Sequence, residues 1–286
     1  MSTLRSTFPT DEELDEALGF PIPATMRTML RIAFEEAKDD LGEFLNSYFD
    51  IANFYFAGEL AALFVEGPRE SYDVRYTSTP PELCPFGCPG RDGAHYGFIV
   101  HAPELGLTDY LVGELAPADE AGVLIVGRNM DDALRNLVSF TAESSSKLAE
   151  TPVAERLLRE LNISPDDDRD PLWMKDEKVT PAIPDGYAFH ETPDGVGVLA
   201  KKESFSGTLQ VPKNNVPADV YLQAAEKALR ANHPGDALIV LKHAAWRYRH
   251  EGSAHQRLYE PMTRTYDALG RPLFSRVLAR NAARFA

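Results

Sequence analysis

"LCPFGCPGRDGAHYGFIVH", residues 83–101, is the stretch on which the fold turns. It holds both cysteines of the chain, two of its seven histidines, two prolines and four glycines. Three readings compete: a metal knuckle, a catalytic loop, or a tight turn that feeds a buried strand. Zinc takes tetrahedral Cys/His sets in which paired ligands are spaced C-x2–4-C and H-x3–5-H. Cys84 and Cys88, with His95 and His101, fall inside those spacings. Strand geometry argues against the set. If 95–101 is extended, the even separation puts both histidines on one face. At about 3.3 Å per residue they then lie roughly 20 Å apart. One ion cannot take both. The reading adopted is therefore a proline- and glycine-shaped turn carrying two small, half-buried cysteines. No metal and no cofactor is expected. Cys84, Cys88, His95 and His101 stand as the alternative metal set.

The glycines of this stretch do not make a phosphate loop, because no Gly-Lys-Ser/Thr, no G-x-G-x-x-G and no following helix accompany them. Asp92, Glu104, Asp109 and Glu114 offer carboxylates for acid–base work. No nucleophile is paired with them, and the G-x-S-x-G, H-E-x-x-H and Cys–His–Asn patterns are missing from the chain. A non-enzymatic protein is the expectation. "KHAAWRYRH" (242–250) has the aromatic and basic residues of a single-strand nucleic-acid surface. At helical spacing those residues divide more simply between core and helix edge.

Strand signals surround the turn. "YDVRY" (72–76) alternates, "STPPEL" is a turn, and "HYGFIVH", "DYLVGEL" and "GVLIVG" read as successive strands. Asp131 is placed to cap a helix carrying Ala133, Leu134, Leu137 and Val138. Upstream, Thr10 caps a helix over Asp11–Leu18, and "GFPIP" ends it. Met26, Met29, Leu30, Ala33 and Phe34 then form one apolar stripe. Phe44–Phe64 reads as mostly helix, divided at Gly58. Helices, then antiparallel strands, then a closing helix define an α+β class, with helices packed on a twisted, mainly antiparallel sheet.

Further along, "NISPDDDRDP" and "VTPAIPDG" read as linker on either side of Trp173. Tyr187–Phe189 and Val196–Ala200 flank "ETPDG" as a hairpin. Four amphipathic segments follow from Asp219, separated by "NHPG", "EGS" and "GRP". Pro234 and Pro272 suit first helical turns and Gly270 a helix C-terminus. Short connections imply antiparallel helical hairpins, a small all-α part. The division expected is 1–147 for the α+β domain, 148–183 linker, 184–216 hairpin connector and 217–286 helical domain.

Charge is unevenly placed. Residues 1–150 carry 10 basic and 26 acidic side chains, whereas 221–286 carry 11 and 5. An acidic first half disfavours nucleic acid and anionic lipid and steers basic partners. The first residues show no secretory signal, and no apolar run approaches the roughly 20 residues of a membrane helix. With two cysteines and no disulfide framework, a cytoplasmic location is expected.

Two resemblances follow from these residues. "LDEALGFPIPATMRTML" and the segment from "PPELCPFGCPGRDGAHYGFIVH" to "GVLIVGRNMDDAL" resemble the opening and later core of the SUKH superfamily, over roughly residues 11–140. The chain departs from that pattern after the second helix, where the long aromatic segment 44–64 replaces the usual Asn-Gly turn. The resemblance implies a compact α+β domain without shared catalytic residues. Many bacterial members are immunity proteins that neutralise toxin domains, often nucleases; others, including yeast cell-wall assembly regulators, are binding platforms. "Y..LGR" around Tyr266 is similar to tetratricopeptide-type repeats over two hairpins, without their full signature. Together these give a protein-binding module for a basic partner, with contacts expected at Phe86, Arg91, Asp92, Tyr96, Glu104, Asp109 and Tyr110; the alternatives are a metal-dependent protein or hydrolase centred on the Cys/His loop, and a helical-repeat scaffold that binds peptides.

Overall fold

The computed structural model describes residues 2–67, 74–118, 121–145, 151–164, 179–213 and 216–285. The chain opens with a short strand β1 (Thr3–Leu4) and helix α1 (Asp11–Leu18). Thr10 and Glu13 form a reciprocal capping box at its start, and Gly19 at φ 79° ends it. Helix α2 (Ala24–Ala37) buries Met26, Met29, Leu30 and Ala33 as the stripe predicts, with Ile32 beside them.

The aromatic segment is more broken than its composition indicates. It forms α3 (Leu41–Asn46), α4 (Phe49–Ala52), β2 (Tyr55–Phe56) and α5 (Gly58–Ala62), followed by β3 (Val65–Glu66). Asn53, at φ 53°, ends α4 and releases the chain into β2. Phe44, Tyr48, Phe54, Phe56 and Phe64 are all buried in one another's contact. Their packing, not helical periodicity, sets the local structure.

The stretch 83–101 is a hairpin of two strands, β4 (Leu83–Cys88) and β5 (His95–Ile99). Its first half is thus itself strand and not turn, a correction to the sequence reading. Strands β6 (Leu111–Leu115) and β7 (Leu124–Gly127) complete an antiparallel sheet of order β2-β4-β5-β6-β7. Cys84 pairs with Phe98, and Tyr96 with Glu114. Every residue of β4, β5 and β6 is buried. One face, with Phe86, Tyr96 and Phe98, meets the N-terminal helices; Leu83, Ile99, Leu111 and Leu115 on the other pack with Val123 and Val196. Gly127 lets β7 approach the next helix, since a Cβ there would sit 2.3 Å from Ala133 N. That helix, α6 (Met130–Ser145), is started by Asn129, whose side chain accepts the Asp132 N–H at 2.8 Å. Asp131 lies inside the first turn and pairs with Arg135 at 2.9 Å, so it is not the cap.

Within the expected linker, residues 152–160 form a helix, α7 (Pro152–Glu160), capped by Thr151. It buries Ala154 and Leu157, and Arg156 reaches Glu36 and Glu35 on α2 at 2.7 and 2.8 Å. Trp173 and part of "YDVRY" lie outside the described residues; Val74–Tyr76 are irregular, where a strand is expected. Strands β8 (Tyr187–His190) and β9 (Val198–Lys201) form the expected hairpin.

The C-terminal region is helical: α8 (Ala218–Arg230), α9 (Pro234–Arg247), α10 (Gly252–Gln256), α11 (Tyr259–Ala268) and α12 (Pro272–Arg284). The third predicted segment divides into α10 and α11. Pro261 lacks the N–H that would continue a ladder back to Arg257, so it falls in the first turn of a new helix. Helix α9 is apolar nearly all round and is buried along most of its length, as a central helix must be. The α+β class holds, with a helical C-terminal region. No described helix is long and apolar enough to cross a membrane.

Acidic residues of the first half meet bases of the C-terminal helices, at Glu82 inside the molecule and at Glu59 on its surface. Lys242 of α9 is 1% exposed; its Nζ lies 2.8 Å from Glu82 Oε2 and 3.0 Å from Asp194 Oδ2. Tyr266 donates its hydroxyl to Glu82 Oε1 at 2.8 Å. Burial works against the Lys242 charge, but Asp194 and Glu82 outweigh it and hold its pKa above that of free lysine. Arg271, also buried, donates to both oxygens of Glu104 and to the Leu199 carbonyl. Arg280 pairs with Glu59. Replacing Lys242 by Met leaves two buried carboxylates without their cation, which costs about 3–5 kcal/mol. Urea unfolding should show that loss, and the triple change Lys242→Met, Glu82→Leu, Asp194→Leu should recover a large part of it.

Candidate functional surface

The β4–β5 hairpin closes through residues 89–94, with Gly90, Asp92 and Gly93 all at positive φ. Ala94 N donates to the Arg91 carbonyl at 2.8 Å, which tightens the tip. Arg91 leans across the sheet end and donates to Glu114 Oε1 at 3.0 Å. Two aromatic side chains flank the tip and are each 41% exposed: Phe49 and Tyr76. Gly90 sits 3.5 Å from the Phe49 ring when given a Cβ, and a Cβ on Gly93 would strike the Tyr76 hydroxyl at 2.3 Å. Only glycine admits Tyr76 in this place.

His95 is the strut beneath. It is fully buried, and its ring stacks on Tyr76 with centroids 6.0 Å apart. Its Nδ1 lies 3.2 Å from the Gly93 carbonyl, which can only accept, so Nδ1 carries the proton there. Nε2 then accepts from the Thr79 hydroxyl at 3.2 Å. Thr79 Oγ1 in turn accepts the Tyr76 N–H at 2.9 Å. One imidazole therefore fixes both the hairpin tip and the turn that presents Tyr76.

The structure divides the residues expected to contact a partner. Arg91 and Asp92 are at the tip and exposed. Glu104, Asp109 and Tyr110 lie in the β5–β6 connection, at the opposite end of a five-residue strand, about 16 Å away. Glu104 is occupied by Arg271, and Asp109 is exposed. Tyr110 is 6% exposed against Phe20, with its hydroxyl donated to the Leu107 carbonyl. Phe86 and Tyr96, at 0% and 1% exposure, are core residues and offer nothing to a partner. Sequence reading placed Phe86 in a turn and Tyr96 at the start of a strand; both are on strands buried from both sides. Phe49 and Tyr76 it missed, because only the tertiary fold brings residues 49, 76 and 90–93 together.

The alternative metal set does not assemble. His95 is engaged as described, and His101 lies beyond the end of β5, its Nε2 donating to the Val196 carbonyl at 2.8 Å. Among the described residues no three of His, Cys, Asp and Glu are grouped to hold an ion. Burial pushes the Cys84 thiol up to about 12 and the Cys88 thiol to about 11. Neither is a thiolate near neutral pH. In the 242–250 segment Arg249 covers the Trp246 ring at 4.2 Å and Tyr248 donates to the Val216 carbonyl at 2.6 Å, so its aromatic groups are engaged within the fold. No protein-family model matches the chain, and no curated protein matches it.

Two outcomes follow from burial. Native protein at pH 8 should react with a thiol reagent far more slowly than protein in urea, with both thiols labelled only after unfolding. Burial also lowers the His101 pKa to about 4, against the pull of its bond to Val196. The unfolded chain, near 6.5, takes up a proton that the folded form refuses. Stability due to this group is therefore complete above pH 6.5 and falls through pH 6.5 to 4, by about 3 kcal/mol in all. His101→Gln should flatten that part of the slope in urea midpoints taken at pH 7, 5.5 and 4.5.

Proposed function

We propose that the protein acts in the cytoplasm as a stoichiometric, non-enzymatic binding module for a basic protein domain, through the hairpin tip and its flanking aromatics. The observation that carries this reading is the pair Phe49 and Tyr76, each 41% exposed beside a tip braced from below by His95. Large aromatic side chains supply most of the energy of protein interfaces when a polar rim surrounds them. Here the rim includes exposed Asp50 and Asp92, within a half of the chain that has 26 acidic and 10 basic residues. That excess persists after Glu59, Glu82 and Glu104 are paired internally, and it raises the association rate with a positively charged partner. The braced tip lowers the entropy cost of binding.

The likeness of residues 11–140 to the SUKH superfamily makes a basic toxin domain, above all a nuclease, the first partner to test, beginning with any encoded beside this gene. Binding kinetics measured on an immobilised toxin domain should give a one-to-one complex. Its association rate should fall about tenfold or more between 50 and 500 mM salt. Phe49→Ala and Tyr76→Ala should each weaken it by about tenfold or more, mainly through faster dissociation. A complex indifferent to both salt and these substitutions would refute this surface as the site.

A further inference from the structure

Behind the hairpin tip the sheet ends in a small pocket that the aromatic pair does not use. Arg91, Asp92 and Ala94 of the tip, Glu114 of β6, Ala116 just after it and Leu124 of β7 line it. Its volume is about 260 Å³, below the roughly 300–1,000 Å³ of sites for drug-sized molecules, so it suits an occupant the size of one side chain. Tyr96, Glu114 and Leu124 are successive cross-strand partners on β5, β6 and β7, and their side chains leave the sheet on one face. That row runs from Tyr96 in the core through Glu114, 7% exposed, to Leu124, 39% exposed. An apolar side chain open to solvent therefore stands directly beside a carboxylate that is almost covered. Glu114 Oε1 accepts from Arg91 Nη2 at 3.0 Å. Its Oε2 bonds to no described residue and keeps some access to solvent. A buried carboxylate held through one oxygen only is a charge incompletely met.

The walls set the chemistry of an occupant. Glu114 and Asp92 against Arg91 leave one negative charge in excess, which disfavours an anion. A neutral group would leave Oε2 without a counter-charge. Leu124, Ala94 and Ala116 offer apolar contact on the way to the carboxylate, the pairing that an aliphatic stem with a cationic head requires. A guanidinium meets a carboxylate best through two parallel bonds, and Arg91 already holds one of the two oxygens. An ammonium acts as a point charge and needs only the other. We propose that this pocket takes a lysine side chain of the partner, its ammonium on Glu114 Oε2 and its stem along Leu124, a role that rests on the hairpin tip being the surface for a basic domain. Arg91 then serves as an internal counter-ion that tunes the pocket toward lysine and away from arginine.

Four probes that need no partner test it: n-butylammonium, n-butylguanidinium, n-butanol and butanoate. Amide chemical-shift titration of the full chain at low salt should show n-butylammonium binding saturably, with a dissociation constant of about 1–30 mM, as expected of so few atoms. The shifts should centre on Glu114 and Leu124. Butanol and butanoate should bind at least about tenfold more weakly, and n-butylguanidinium about threefold more weakly. Glu114→Gln and Leu124→Ser should each weaken n-butylammonium about threefold or more; Leu124 is open to solvent, so that variant decides the matter if the first misfolds. Arg91→Ala opens both oxygens of Glu114 and should strengthen n-butylguanidinium about fivefold or more, a gain that a purely structural ion pair would not give. Butanol that binds as well as the ammonium, shifts centred elsewhere, n-butylammonium indifferent to both substitutions, or n-butylguanidinium unchanged by Arg91→Ala would overturn the proposal. Should the toxin domain fail to bind while n-butylammonium is still held at Glu114, the protein-binding reading falls and the ammonium site stands; the reverse result removes the pocket alone.

Discussion

Lys242 between Glu82 and Asp194 is the contact on which the arrangement of the chain depends. The three residues come from the start of β4, the turn of the β8–β9 hairpin and the middle of α9. Their charges are buried, so each needs the others in place before it is tolerable away from water. The Tyr266 hydroxyl completes the Glu82 carboxylate, and Thr192 and the Val196 N–H complete Asp194. A buried network in which each charge is paired is sensitive to geometry in a way that apolar packing is not. It therefore fixes how the helical region seats on the sheet, while the apolar contacts around it supply most of the driving force.

The second junction shows how local rules feed that seating. Helix α11 ends in a Schellman turn: Gly270 N donates to Asp267 O, and Arg271 N to Tyr266 O, with Gly270 at φ 74°. The turn delivers Arg271 into the interior, where it grips Glu104 and the Leu199 carbonyl. The Gly270 that marks a helix end in the sequence thus aims a cross-link whose partners lie 167 and 72 residues away.

Much of the fold was legible. The capping residues Thr10, Pro234 and Pro272, the α2 stripe and the apolar runs of β5, β6 and β7 are local signals, and local structure obeys them. What escaped was set by partners distant in sequence. Tyr55–Phe56 becomes a strand because Gly87 and Cys88 offer a sheet edge, and α7 forms because α2 covers Leu157. The site was legible only in part. Arg91 and Asp92 lie at an exposed tip, as their neighbouring glycines indicate, whereas Phe86 and Tyr96, expected as contacts, are interior because both faces of their strands are covered. Part of the acidic excess is taken up within the molecule, because Glu59, Glu82 and Glu104 meet bases from the last 45 residues, Glu82 in the interior.

A central sheet buried on both faces has a consequence for how such a molecule diversifies. In most antiparallel sheets one face is free to vary, and recognition can drift across it. Here every position of β4, β5 and β6 is interior, so a change at any of them is a packing change. New specificities can arise only at the rims. The three inner strands are a fixed mount, and the variable ground beside them is the turns at their ends and the exposed helix faces next to those turns, such as Phe49 at the start of α4.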